Sequence, residues 1–187
     1  MQPINSLANH LLIAMPSLED PFFNRSVTYI CEHSSEGALG IVINIPLEAT
    51  YQELFDHLKF ETNSDQPLAE KLLAGGPVSP ERGFILHSPI GNWQSSLTVT
   101  NELALSTSED ILSAIAKNEG PEKVRIALGY AGWEKGQLEK EMEDSSWLLV
   151  EATPDLLFDT PADQVWHKAT ELLGIDWTQL SNQEGHA

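Results

Sequence analysis

The chain has 187 residues, of which 41% are hydrophobic and 20% charged, and its formal net charge at pH 7 is −18. A chain of this length and composition can bury a core without metals or disulfides. The charge disfavours nucleic acid and anionic membrane surfaces as direct partners, since both are bound mainly through Lys and Arg.

The N-terminus and the cysteine content point to the cytoplasm. The first basic residue is Arg25, so the positively charged start of a signal peptide is missing, and no apolar stretch approaches the roughly 18 residues of a membrane span. Cys31 is the only cysteine, which excludes an intrachain disulfide and is typical of a reducing compartment. We expect a cytoplasmic protein that does not bind membranes.

Strands are predicted where apolar, often β-branched runs lie between turn residues. These runs cover residues 11–15, 27–32, 39–45, 83–87, 96–100, 124–130 and 147–151. Glu36-Gly37 lies between two of them and indicates a hairpin.

Helices are predicted from capping patterns. Thr50 with Glu53 and Ser106 with Glu109 have capping-box spacing, and Thr160-Pro161 starts a last helix that Gly174 ends. Short helices are also predicted at residues 67–73 and 136–144.

The order of these elements predicts an α+β fold with a mainly antiparallel sheet, because strands and helices do not alternate regularly. We expect one domain over residues 1–187, with residues 1–4 and 179–187 loosely held.

A thiol and an imidazole fall on one face of the strand that contains Cys31-Glu32-His33. Such a pair could form an activated nucleophile if the histidine lay within hydrogen-bond reach, with His87 as an alternative base. The other interpretation is a buried, unreactive thiol, which is common for a free cysteine.

The histidines are not spaced as metal ligands. No H-x-x-x-H or C-x-x-C pattern occurs, so a zinc site is not predicted. No cofactor fingerprint is present either, and we expect no cofactor.

Two glycine-rich segments allow either a ligand-binding or a structural interpretation. Gly75-Gly76-Pro77-Val78 could approach an anion together with Arg82 and His87, but it lacks the phosphate-loop lysine and is typical of a tight turn. The segment from Gly129 to Glu139 could place Trp133 as the wall of a binding site, or Trp133 could be packed inside. The acidic run of Glu139, Glu141, Glu143 and Asp144 is typical of a solvated helix face.

Four ordered motifs together resemble one family. They are Asn9 to Pro16 with Cys31-Glu32-His33 and Gly37 to Gly40; Gly75 to Val78 with Arg82 to His87; Gly129 to Glu139; and Trp147-Leu148 with Phe158 and Trp166. This pattern is similar to the YqgE/AlgH family of bacterial proteins. The resemblance implies a bifurcated sheet curled into a pseudo-barrel with flanking helices and a cytosolic location. It implies no settled activity, although members are often described as transcriptional regulators.

The leading hypothesis is a non-enzymatic regulatory or interaction domain that binds a protein or a small ligand. The residues expected to form its binding surface are Arg82, Trp133, Gln137 and Glu139, with His33 nearby. The first alternative is a hydrolase- or transferase-type enzyme that uses Cys31 with His33 or His87. The second is a DNA-binding regulator, which the net charge of −18 opposes.

Overall fold

A computed structural model of the chain describes residues 6–15, 25–62 and 68–174. The chain divides into two compact units, the first made of residues 1–45 and 131–187 and the second of residues 46–130. The predicted loose ends, 1–4 and 179–187, lie outside the described residues.

The described residues form ten strands, four α-helices and one π-helical turn. The strands are β1 (His10–Ala14), β2 (Val27–Ser34), β3 (Gly37–Val42), β4 (Pro46–Thr50), β5 (Lys71–Ala74), β6 (Val78–Ser88), β7 (Ser96–Thr98), β8 (Ala104–Ser106), β9 (Lys123–Glu134) and β10 (Trp147–Glu151). The helices are α1 (Tyr51–His57), α2 (Glu109–Ala116), α3 (Gln137–Glu143) and α4 (Ala162–Leu172), and the π-helical turn is Asp155–Asp159.

In the first unit, antiparallel strands follow the order β10, β1, β2, β3 and the last residues of β9. Leu11, Leu12, Ile13 and Ala14 of β1 are completely buried, which fits the position of β1 between two neighbouring strands. Helix α4 contacts β1 through a hydrogen bond, in which the Trp166 indole N–H donates to the Ala14 carbonyl over 3.1 Å. This unit therefore has its own core.

In the second unit, the first part of β9 lies between β5, to which it is parallel, and the antiparallel β6, which continues to β8 and β7. Helices α1 and α2 supply most of the apolar side chains that cover this part of the sheet. The buried residues of this core are Tyr51, Phe55, Leu72, Ile85, Ile111, Leu112, Ile115, Ala116 and Ile126.

Most of the sequence-based elements are confirmed, but one predicted helix and one predicted helix cap are wrong. Residues 68–73 of the predicted helix at 67–73 instead lead into strand β5, because Leu72 and Leu73 are buried in a strand that pairs with β4 and β9; Pro67 lies outside the described residues. Ser106 does not cap α2: it is a buried residue of β8, and Ser108 is the N-cap. The Thr50 cap is confirmed, since its hydroxyl accepts the Glu53 amide over 3.3 Å.

No helix in the described parts of the chain has both the length and the apolar character needed to cross a membrane.

Candidate functional site

His33 lies at the end of β2 with both ring nitrogens engaged. Its Nδ1 accepts the Leu7 backbone N–H over 2.9 Å, and its Nε2 contacts a carboxylate oxygen of Glu139 on α3. A nitrogen that accepts carries no proton, so the ring is neutral and the proton is on Nε2, which donates to Glu139. His33 thus connects the N-terminal segment, β2 and α3.

The same contact affects Glu139. The hydrogen bond from His33 holds the pKa of the Glu139 carboxyl below its usual value, and partial burial opposes this shift. The carboxylate is therefore held in its charged form next to the imidazole, although its side chain remains 45% exposed.

Glu141, two residues further along α3, organises what we call the tryptophan cluster: Trp133, Gln137, Glu141 and Trp147. One oxygen of Glu141 accepts both indole N–H groups, each over 2.9 Å, and the other accepts the Gln137 side-chain amide over 3.0 Å. The two indole rings meet edge to face with centroids 6.4 Å apart. Both rings are thereby fixed in position.

A pocket of about 230 Å³ adjoins this cluster. It is lined by Trp133 and by residues 32, 34 and 36–39 of the β2–β3 hairpin. Glu32 and Glu36 are exposed there, whereas Trp133 is only 7% exposed. The pocket therefore lies beside a tryptophan that is fixed in position, and it carries negative charge.

Cys31 is buried in the first unit, at 2% exposure. Its sulfur lies 3.8 Å from the Tyr29 carbonyl, and the nitrogens of His33 are occupied by Leu7 and Glu139. Burial, more than the nearby Glu32 carboxylate, raises the pKa of the Cys31 thiol. This environment opposes thiolate formation, so the geometry gives no support to the Cys31–His33 nucleophile.

We expect Cys31 to react with a thiol reagent only when the protein unfolds, because the reactive thiolate is disfavoured and inaccessible in the fold. Labelling with a chromogenic disulfide at pH 8 should be complete in denaturant and slower by orders of magnitude in native buffer. Rapid native labelling of one thiol would contradict this expectation and restore the enzyme hypothesis.

The remaining candidates, Arg82 and His87, lie on β6 in the second unit, and the predicted set is thus divided between the units. The Arg82 guanidinium is exposed and stands over the Phe84 ring at 5.6 Å. His87 is completely buried; its Nδ1 is 2.9 Å from the Pro89 carbonyl and its Nε2 is 2.7 Å from the Ser106 hydroxyl. Since a carbonyl only accepts, Nδ1 carries the proton and Nε2 accepts from Ser106.

The environment of His87 predicts a pH-dependent stability. Burial lowers the pKa of His87 below its usual 6.5, and the bond to the Pro89 carbonyl offsets part of this shift. Between the lowered pKa and pH 6.5 the unfolded chain binds more protons than the folded one. The stability that the neutral His87 contributes is therefore fully present above pH 6.5, and it decreases as the pH falls through this interval.

As the pH falls through this interval, the free energy of unfolding should decrease less for His87→Asn than for the unchanged protein. Asparagine can donate to the Pro89 carbonyl but does not titrate. Urea unfolding at several pH values measures both proteins. Parallel curves of unfolding free energy against pH would show that His87 does not carry the dependence.

The sequence did not reveal the role of Glu141. Interpreting Glu139, Glu141, Glu143 and Asp144 as a solvated face holds for Glu143 and Asp144, which are exposed. Glu139 is also exposed but contacts His33, and the half-buried Glu141 accepts from two indoles. Their partners come from β2, β9 and β10, and no local spacing signals such contacts. Among the described residues, no group of three His, Cys, Asp or Glu is placed to hold a metal ion.

The fold and this site define an α+β protein with an acidic pocket beside a fixed tryptophan. The family model described as DUF179, AlgH-like, matches residues 11–178. The chain therefore belongs to the AlgH-like family, and the predicted family is confirmed.

Several relatives share the full length of the chain. A UPF0301 protein of Pseudoalteromonas translucida, PSHAa2600, is 48% identical over 185 residues, covering 98% of this chain and 100% of the relative. A UPF0301 protein of Shewanella woodyi is 49% identical over 186 residues, with the same coverage.

The solution structure of the AlgH protein from Pseudomonas aeruginosa superposes with a TM-score of 0.81 at 44% identity, covering 100% of this chain and 99% of the other. Protein DIP2367 of Corynebacterium diphtheriae shares the fold, with a TM-score of 0.70 at 22% identity, over 89% of this chain and 86% of the other. These matches confirm the predicted α+β class with a mainly antiparallel sheet and flanking helices.

Proposed function

We propose that the chain is a non-enzymatic interaction domain that binds a protein or a small ligand at the pocket beside Trp133. The observation that carries this proposal is the tryptophan cluster, in which Glu141 holds two indoles in place and one of them borders the pocket. A residue that is already held in place in the free protein contributes contacts at a small cost in conformational entropy.

The charge around the pocket favours some ligands over others. Glu32 and Glu36 border it, and the whole chain has a formal charge of −18. A neutral or cationic group is therefore favoured over an anionic one. Direct binding to DNA is not part of this function, because a phosphate backbone would meet the same negative surface.

The chemistry of the predicted nucleophile supports a binding role over an enzymatic one. Cys31 lies in the core and His33 has no free nitrogen lone pair, so this pair offers neither a thiolate nor a base. Arg82 in the second unit stays a candidate for a separate contact.

The test is a binding screen of the full chain against metabolites and against proteins from a bacterial lysate, repeated with matched charge reversals. Glu32→Lys changes the pocket, and Glu122→Lys makes the same change at an exposed position of the second unit. A specific ligand should bind about tenfold more weakly to the first variant and normally to the second. Trp133→Ala, checked for folding by circular dichroism, should also weaken it.

If every ligand found binds Glu32→Lys and folded Trp133→Ala as well as it binds the unchanged protein, the pocket is not the binding surface. A turnover of any ligand that depends on Cys31 would replace the proposal by the enzymatic alternative.

A further inference from the structure

Residues 6–8 are held against the first unit through His33. The Leu7 N–H donates to its Nδ1 over 2.9 Å, and the Ser6 hydroxyl donates to its backbone carbonyl over 3.3 Å. From Asn9 onward the backbone is fixed independently, since the Asn9 amide donates to the Ile30 carbonyl over 2.8 Å. The Leu7 carbonyl also accepts the His10 N–H over 3.2 Å, so the imidazole supplies one of the hydrogen bonds that hold residues 6–8 in place.

Leu7 covers part of an apolar surface. Its half-buried side chain packs against the core that contains Leu12, Trp133, Leu138 and Trp147. Displacement of Leu7 would expose part of the surface formed by this core, which includes both tryptophans of the tryptophan cluster.

The two partners of the His33 ring respond differently to its protonation. Nε2 can donate to the Glu139 carboxylate whether or not Nδ1 is protonated. The bond to Leu7 cannot survive protonation, because a protonated Nδ1 would direct an N–H at the Leu7 N–H. The segment and the proton therefore compete for one lone pair.

We propose that protonation of His33 releases residues 6–8 and exposes the surface that Leu7 covers. In the neutral state the segment is bound, and in the imidazolium state Nδ1 turns from acceptor to donor while Nε2 keeps its contact with Glu139. Asn9, with a backbone φ of 65°, is the point at which the movement ends. Release as such is independent of the proposed function; only its effect on a ligand at the pocket rests on that function.

The other groups near His33 do not provide this competition. Ala38, its neighbour on β3, is uncharged, and Glu32 on its own strand is exposed while His33 is buried. Cys31 on the same strand is a buried thiol. His10 has its Nδ1 3.0 Å from the Ala8 carbonyl, and a carbonyl can only accept, so Nδ1 of His10 donates in both of its protonation states.

The experiment is a pH titration of the full, isotopically labelled chain by NMR from pH 8 to pH 5, the range in which histidines commonly titrate. It follows the His33 ring resonances and the hydrogen exchange of the Leu7 amide, corrected for the intrinsic effect of pH. Protection of the Leu7 amide should fall about tenfold, as expected for loss of one hydrogen bond, in step with protonation of His33.

Substitutions at His33 separate the two contacts. His33→Asn keeps an acceptor close to the position of Nδ1 without titrating, so Leu7 should stay protected at both ends of the pH range. His33→Gln reaches toward Glu139 instead and should leave Leu7 unprotected throughout. Resonances outside residues 6–10 and α3 report whether each variant is folded.

Two further variants complete the test. Glu139→Gln keeps an acceptor but loses the charge, so release should require a lower pH. His10→Gln is the control and should keep the pH dependence. Constant protection of Leu7 while His33 titrates, a His33 that stays neutral down to pH 5, or the same loss of protection in His33→Asn would each overturn the proposal.

Discussion

Glu141→Ala is expected to lower the free energy of unfolding by about 2–4 kcal/mol, because two largely buried indole N–H groups lose the acceptor they share. Trp133 and Trp147 are 7% and 5% exposed, so water can replace that acceptor only in part. Urea unfolding followed by tryptophan fluorescence measures the change.

The control lies on the same helix. Glu143→Ala removes an exposed carboxylate, and its effect should stay within about 0.5 kcal/mol. Glu141→Gln keeps an acceptor oxygen and should fall between the two. Equal stabilities of Glu141→Ala and Glu143→Ala would mean that the shared carboxylate does not stabilise the tryptophan cluster.

Gly129→Ala should be among the most destabilising single substitutions in the second unit, at about 3 kcal/mol or more. Gly129 has a backbone φ of +79°, and a Cβ there would lie 2.3 Å from the Gly76 carbonyl oxygen. The substitution therefore combines left-handed strain with a clash against backbone that must shift.

Gly136→Ala separates these two effects. Gly136 has nearly the same φ, +78°, but a Cβ there would meet nothing within 4 Å. It should cost only the strain, about 1–2 kcal/mol. Thermal and urea unfolding of both variants give the comparison, and equal losses of stability would show that the contact with Gly76 is unimportant.

The local patterns predicted most of the fold because most elements carry their own signals. The seven apolar runs are strands, and the Thr50 cap and the Thr160-Pro161 start lie where the helices α1 and α4 begin. The short strand β5 was not predicted, because its conformation is set by pairing with two neighbouring strands. Its four residues are too few to show the alternating pattern of a strand.

The site was predictable only in part. The sequence predicted His33, Trp133 and Glu139 as candidate site residues, and all three lie in the first unit. The contacts themselves span up to 106 positions of sequence between His33 and Glu139, a separation at which no capping or turn rule applies. The role of Glu141 likewise depends on partners from two strands.

The arrangement of the first unit also constrains the order of its assembly during synthesis. Residues 46–130 form the second unit as one uninterrupted stretch, whereas β1 pairs with β10 at the other end of the first unit. On the ribosome, the second unit can acquire its contacts before β10 has been made, whereas β1 can pair with β2 early but must wait for β10. The pocket and the His33–Glu139 contact, which require Trp133 and α3, are accordingly among the last features of the chain to form.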